Sequence, residues 1–120
     1  MKTASLAKQL LHVEGLGLLL IAILGYAWQG FSWWQFGLAL FAPDLAMLGY
    51  LWGPKVGSIC YNLAHVTLVP LSFLALWVVN DWSVGLQIGL IWLAHIGLDR
   101  MLGYGLKYPT QFKDTHLGRV

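Results

Sequence analysis

The sequence predicts an all-α integral membrane protein, an up-down-up-down bundle of four transmembrane helices. Three observations carry this. Of the 120 residues 58% are hydrophobic and only 10% charged, the mean hydropathy is +0.67, and the apolar residues gather in four runs separated by tight turns. A water-soluble domain needs far more polar surface than this. The runs are Gln9 to Trp28, Phe31 to Trp52, Val56 to Val79 and Ser83 to Lys107, each near the ~20 residues that cross a bilayer as a helix. Gln29-Gly30, Gly53-Pro54 and Asn80-Asp81 part them. Turns so short join antiparallel neighbours.

Taken in order, the first run follows Lys2 and Lys8 and resembles a signal sequence, but no small-x-small cleavage site follows it, so it reads as a retained span. The second contains Pro43, which removes a helical donor and breaks or kinks the span just before Asp44. In the third, Pro70 frees the carbonyl of Val66 beside His65. The fourth carries His95, Asp99 and Arg100. Residues 1–108 then form the transmembrane domain, and 109–120 a short cytosolic tail. Gly49, Gly53 and Gly57 near the middle turn, with Ala94, Gly97 and Gly103 in the fourth run, permit close helix approach.

Lys2, Lys8, Lys55, Arg100, Lys107, Lys113 and Arg119 all fall on one side of this topology. The positive-inside rule therefore places both termini and the middle loop in the cytoplasm of a cell with an inner (plasma) membrane. Trp28, Trp33, Trp34, Trp77 and Trp82 gather at the opposite interface, with Tyr50 and Trp52 at the inner one, as aromatic belts do. The net charge of +2 suits anionic lipid headgroups and gives no nucleic-acid surface. Cys60, the single cysteine, reads as a packed thiol.

Function is carried by a polar layer. Glu14, Asp44, Asn62, His65, His95 and Asp99 interrupt the apolar runs, and at ~1.5 Å of rise per residue they lie at nearly one depth in the cytoplasmic half. Ser58, Asn62 and His65 share a helix face, as do His95 and Asp99. A carboxylate at the centre of a bilayer costs ~2.5–3.5 kcal/mol even on the lenient insertion scale, so three of them face protein or a wet cavity. Arg100 lies about 100° around its helix from Asp99. A divalent cation bound by carboxylate and imidazole neutralises the layer directly. His116 reaches the cavity mouth if the tail folds back under the bundle. Gly-rich phosphate loops, His-Glu-x-x-His, Gly-x-Ser-x-Gly and Cys-x-x-Cys are absent from the sequence.

Several strings also match a known pattern: Val13-Glu14-Gly15-Leu16, Ala42-Pro43-Asp44-Leu45-Ala46-Met47-Leu48-Gly49-Tyr50, Gly53-Pro54-Lys55-Val56-Gly57, Tyr61-Asn62-Leu63-Ala64-His65, and Ala94-His95-Ile96-Gly97-Leu98-Asp99-Arg100. Leu102-Gly103-Tyr104-Gly105-Leu106-Lys107-Tyr108 and Asp114-Thr115-His116-Leu117-Gly118-Arg119 complete it. Over nearly its whole length the chain resembles the domain of unknown function 4260 family, small bacterial membrane proteins. The resemblance implies that the Glu14, Asp44, Asn62-His65, His95-Asp99-Arg100 and Thr115-His116 positions belong to a family pattern, and it supplies no substrate.

Three readings follow. The first is a membrane enzyme with one or two divalent metals, zinc, iron or manganese, on Glu14, Asp44, His65, His95 and Asp99. Asn62 orients a ligand or substrate, Asp44 and His65 share the catalytic work, and Arg100 and His116 are accessory. It acts on a lipid-like substrate by hydrolysis, group transfer or oxidation. The second is a proton- or cation-coupled carrier, as a homo-oligomer, in which the carboxylates load protons and the histidines relay them. The third is a purely structural polar layer.

Overall fold

In the computed structural model residues 5–120 are described; Lys2, one of the cations used to orient the first span, lies outside the described residues. Regular structure among the described residues is helical, apart from a single antiparallel bridge between Lys107 and Thr115. Helix α1 (Leu6–Gln29) starts at Ser5, whose hydroxyl accepts from the Lys8 amide at 3.1 Å, and stops at Gly30 in the left-handed conformation. Helix α2 (Trp33–Ala39) starts in the same way at Ser32. These caps satisfy amides that a helix start leaves without intrahelical partners.

The second apolar run is broken, as the position of Pro43 predicts. Helix α2 ends after one or two turns, and the chain continues as a 3-10 segment, Ala42–Trp52, with Pro43 in its first turn. Proline lacks the amide an α-helix needs at this point, and the tighter 3-10 winding accommodates it. The third run is interrupted as well. Helix α3 (Pro54–His65) gives way at Val66, which is extended (φ −85°, ψ 135°), before α4 (Leu68–Asn80) resumes. Pro70 lies in the first turn of α4, where a missing amide costs little. Helix α5 (Ser83–Leu102) ends short of Lys107 because Gly103 takes the left-handed conformation and its amide closes the last turn on the carbonyls of Arg100 and Asp99. Helix α6 (His116–Arg119) is a single turn.

Among the described residues two stretches are long and apolar enough to cross a membrane, Leu6–Gln29 and Pro54–Asn80, the latter counted across its break at Val66. Phe31–Trp52 does not qualify because it is broken. Helix α5 is long, but Gln87, His95, Asp99 and Arg100 lower its hydropathy. It is also the most buried element: Leu86, Leu90, Ile91, Leu93, Ala94, His95 and Ile96 are all buried, with α1 and α4 packed against it and the 3-10 segment packed on α3.

Small residues set these approaches. A methyl group at Gly97 would lie 2.6 Å from the Leu19 amide nitrogen and 2.8 Å from the Gly15 carbonyl oxygen, and one at Gly15 would lie 2.5 Å from the Met101 nitrogen. Helices α1 and α5 therefore touch backbone to backbone at the level of His95 and Asp99. On the other side Gly49 faces Cys60 and Gly57 faces the Tyr50 ring. Tyr26 fills the far end, fully buried among Leu86, Leu90 and Ile91, with its hydroxyl donating to the Ser32 carbonyl at 2.5 Å.

The last residues do not form a loose tail. The amide of His116 donates to the Leu106 carbonyl at 2.9 Å, that of Tyr108 donates to the Asp114 carbonyl at 2.8 Å, and Leu117 is completely buried. Gly97→Ala should lower stability by about 1–3 kcal/mol because its contacts are backbone atoms that cannot yield. Gly17→Ala, which meets nothing within 4 Å, should leave the thermal unfolding midpoint in detergent unchanged or slightly raised. Equal melting of both variants would contradict the close packing of α1 on α5.

Candidate metal centre

Each chain break delivers one side chain to a common point. Pro43 turns the backbone into the 3-10 segment and presents Asp44. The end of α3 presents His65, and α5 presents His95 and Asp99 four residues apart on one face. One ligand atom from each of the four lies within 4.8 Å of the others. His65 Nε2 is 3.1 Å from Asp44 Oδ1, 3.4 Å from Asp99 Oδ2 and 3.1 Å from His95 Nε2. His95 Nε2 is 3.1 Å from Asp44 Oδ1 and 3.3 Å from Asp99 Oδ2. Four ligands held tetrahedrally at ~2.0–2.1 Å from a metal ion are separated by about 3.3–3.4 Å from one another. Five of the six separations, 3.1–3.4 Å, lie near that spacing, and the sixth, between Asp44 and Asp99, is within 4.8 Å.

Hydrogen positions sharpen the point. His65 Nδ1 lies 2.7 Å from the Tyr61 carbonyl oxygen. A carbonyl can only accept, so Nδ1 carries the hydrogen, and in the neutral ring Nε2 is a bare lone pair. That lone pair faces two carboxylate oxygens and a second imidazole nitrogen. Both imidazole side chains are almost or wholly buried, Asp99 is 14% exposed, and Asp44 is 31% exposed at the edge. So close a set repels itself unless a hydrogen on His95 Nε2, whose Nδ1 has no partner, or a cation sits among its acceptors. These four residues can hold a metal ion.

The surroundings fix the ligands. Breaking the helix at Val66 leaves the last carbonyls of α3 open, and α5 fills them: Trp92 Nε1 donates to the Ala64 carbonyl at 2.5 Å and Arg100 Nη2 to the His65 carbonyl at 3.3 Å. Arg100 is thus a C-terminal cap, placing a cation where the helix dipole favours one, and it ties His65 to the helix that carries His95 and Asp99. Tyr61 stacks on His65 with ring centroids 3.7 Å apart and planes 6° from parallel, and its hydroxyl interacts with Asp99. Phe41 stands edge-on to His95 at 5.9 Å. His95 Nδ1 is buried without a hydrogen-bond partner, so this ring is held by packing.

The remaining sequence candidates go elsewhere. Glu14 is exposed on α1, outside the cluster, one residue from the Gly15 contact and within the electrostatic reach of Arg100. Asn62 clamps the chain: its Nδ2 donates to the Lys107 carbonyl at 2.8 Å while its Oδ1 accepts from the Lys107 amide at 2.6 Å. One donor and one acceptor site of that amide are engaged, so Asn62 anchors the tail, and it is not a member of the cluster. His116 does return to the body of the protein, where its Nδ1 accepts from the Leu106 amide at 2.8 Å, but it is not a member of the cluster. Lys107, missed by the sequence reading, is buried with its Nζ 3.7 Å from the centroid of Phe112 and 4.8 Å from that of Tyr61.

The match to a family model decides the relationship: the model for the domain of unknown function DUF4260 covers residues 8–120. The chain belongs to that family. No curated protein and no solved structure matches it. In this DUF4260 protein the family match spans all four cluster residues and the folded tail that Asn62 holds.

The contacts of the tail depend on the protonation of His116 and Asp114. Burial, followed by the charge of Arg100, pushes the His116 imidazole below its usual value, and accepting from Leu106 likewise requires a bare Nδ1. A base whose folded pKa is depressed contributes stability that is complete above its unfolded value of about 6.5 and is lost as pH falls from there toward the folded pKa. Asp114 accepts from Arg119 and Thr110, which bring its carboxyl down to about 2; that contribution survives until the pH falls below about 4. Tryptic cleavage after Lys113, taken relative to cleavage of an unstructured peptide at the same pH to remove the slowing of trypsin itself, should therefore quicken between pH 7.5 and 5.5 in wild type and not in His116→Gln. Equal pH profiles would contradict the tail assignment.

Proposed function

We propose that this DUF4260 protein is a membrane-embedded, divalent-metal-dependent enzyme whose ion is held by Asp44, His65, His95 and Asp99. The observation that carries the reading is that the two imidazole Nε2 atoms lie 3.1 Å apart and each lies 3.1–3.4 Å from both carboxylates, with the bare lone pair of His65 Nε2 turned toward the other three donors. Two carboxylates and a divalent ion are together neutral, which suits an apolar setting. Nitrogen and oxygen donors in this shape suit zinc first, with iron and manganese as the redox-capable alternatives. Glu14 stands apart, so the site takes one ion rather than a carboxylate-bridged pair.

The membrane setting rests on the two apolar stretches and on large apolar side chains exposed over much of the surface, Leu20, Leu24, Leu38, Leu51, Leu63 and Val79 among them. The fold's longest extent is 44 Å, close to the ~40–45 Å of a bilayer with its headgroups. In the arrangement we propose, four passages cross the inner membrane. The second is made by α2 with the 3-10 segment, and the third by α3 with α4. Broken helices are tolerated at membrane depth where they line a cavity. The tryptophan turns face outward and both termini lie in the cytoplasm.

Asp44 is the most exposed ligand, so its side is where a water or substrate oxygen joins the ion. An ion held by Asp44, His65, His95 and Asp99 would supply activation of a water and polarisation of the carbonyl or phosphoryl oxygen of an ester. The Asp44 carboxylate, at the open edge, would take the proton from that water and return it to the departing alkoxide as the ester bond breaks. Hydrolysis of an amphiphile, or transfer of its group to another alcohol, follows from the same site.

Purified protein should carry close to one zinc, iron or manganese per chain by mass spectrometry. His65→Ala and His95→Ala should lose it while Glu14→Gln keeps it. Folded protein without metal before and after exposure to these ions would overturn the reading and favour a proton-sharing cluster.

A further inference from the structure

Beside the metal ligands lies a cavity of about 350 Å³, bounded by Ala42, Pro43, Ala46, Ala64, Ile91 and Trp92, with Ala39 and Ile88 beyond them. Its boundary is continuous with the ligands: Pro43 precedes Asp44, Ala64 precedes His65, and Ile91 stands one helical turn before His95 on the same face of α5. Ile91 is buried and forms the floor, whereas Ala42 and Ile88 are exposed and leave the cavity open along the protein's side. The lining is alanine, proline, isoleucine and tryptophan. Its one side-chain polar atom, Trp92 Nε1, is already spent on the Ala64 carbonyl. Nothing in the wall can recognise a polar occupant.

Direction adds a second constraint. Ile88 and Trp92 precede His95 along α5, and Ala39 and Ala42 precede Asp44, so the cavity runs from the ligands toward the pole where Trp28, Trp33 and Trp82 gather, and away from Lys55 and Arg100. From His95 to Ile88 is about 10 Å along the helix. In the proposed orientation this is the course of an acyl chain, polar at the cytoplasmic level and apolar toward the bilayer centre.

We infer that this groove holds the alkyl chain of the substrate, so that an amphiphile binds with its chain between the 3-10 segment and α5 and its polar group at the metal ligands. The inference rests on the metal-enzyme reading for the identity of the bound molecule as substrate, while the groove itself is a binding site that can be tested without activity. Each methylene moved out of water is worth ~0.8 kcal/mol, but a chain arriving from hydrocarbon gains only from packing. Selectivity therefore comes from the width left by Ala42, Ala46 and Ala64, which favours a single unbranched chain.

The test uses a palmitic acid carrying a diazirine at mid-chain, added to the full-length protein in phosphatidylcholine and phosphatidylglycerol vesicles and mapped by mass spectrometry after illumination. Labelling around Ala46 and Trp92 should exceed, several-fold, that of Leu20 and Leu24, which are exposed on α1 and sample bulk lipid. Ala46→Phe and, at the rim, Ala42→Leu should bring groove labelling down to the level of α1 and leave α1 labelling unchanged. Groove labelling no stronger than that of α1, or unchanged in both variants, overturns the inference. Metal content measured on the same samples separates the two claims. Groove labelling of protein that binds no metal would support a lipid-chain site and sink the metal enzyme, and metal-loaded protein without groove labelling would do the reverse.

Discussion

Two imidazole nitrogens 3.1 Å apart, each also 3.1–3.4 Å from two carboxylate oxygens, are the constraint around which this small fold is arranged. Acceptors brought together in an apolar setting repel one another and have lost their water, and a cation among them reverses the sign of the interaction. The protein brings them together at some structural cost. It breaks its second apolar run into a helix and a 3-10 segment, interrupts its third at Val66 and presses α1 onto α5 through glycine. Each departure from a regular helix positions a ligand or the helix that carries one.

The break at Val66 shows how one defect is turned to use. Ending α3 there exposes its last carbonyls, and the donors that satisfy them, Trp92 and Arg100, stand on α5 on either side of His95. The hydrogen bonds that cap α3 are therefore also the bonds that fix the spacing between His65 and the His95-Asp99 pair. Support of this kind, holding a ligand through its own backbone, orients metal ligands against thermal motion. Tyr61 contributes again from the same helix, through its carbonyl to His65 Nδ1 and its ring against His65.

Much of this was legible in the sequence, and the failures have physical reasons. All-helical structure, the three turns and the convergence of Asp44, His65, His95 and Asp99 follow from hydropathy, proline position and four-residue spacing. Depth along a helix, however, says nothing of direction around it. Glu14 has the right depth, but the inward face of α1 is marked by Gly15, Ala22 and Tyr26, about 100° away. Asn62 shares a side of α3 with His65, yet its partner is a backbone segment 45 residues distant that no local pattern reveals. The break in the second apolar run was legible in Pro43, but an apolar run does not specify its winding, so the 3-10 form of Ala42–Trp52 was not. Helix α5 carries glycines and polar residues that the sequence singles out, but its hydropathy does not reveal that it is the most buried helix of the fold. Lys107 was taken for an interfacial cation, and only the folded tail shows its ammonium lodged on Phe112 and Tyr61.

The account stands on one claim, that these four side chains surround a single ion. X-ray absorption at the zinc edge of the zinc-loaded protein in detergent tests it directly. The account predicts a first shell of the four protein nitrogen and oxygen donors, with a fifth oxygen where water joins, at about 2.0–2.2 Å, and with the outer-shell scattering of two imidazoles that disappears in the His65→Ala, His95→Ala double variant. A six-oxygen shell without imidazole scattering, or a wild-type spectrum that the double variant reproduces, would contradict it.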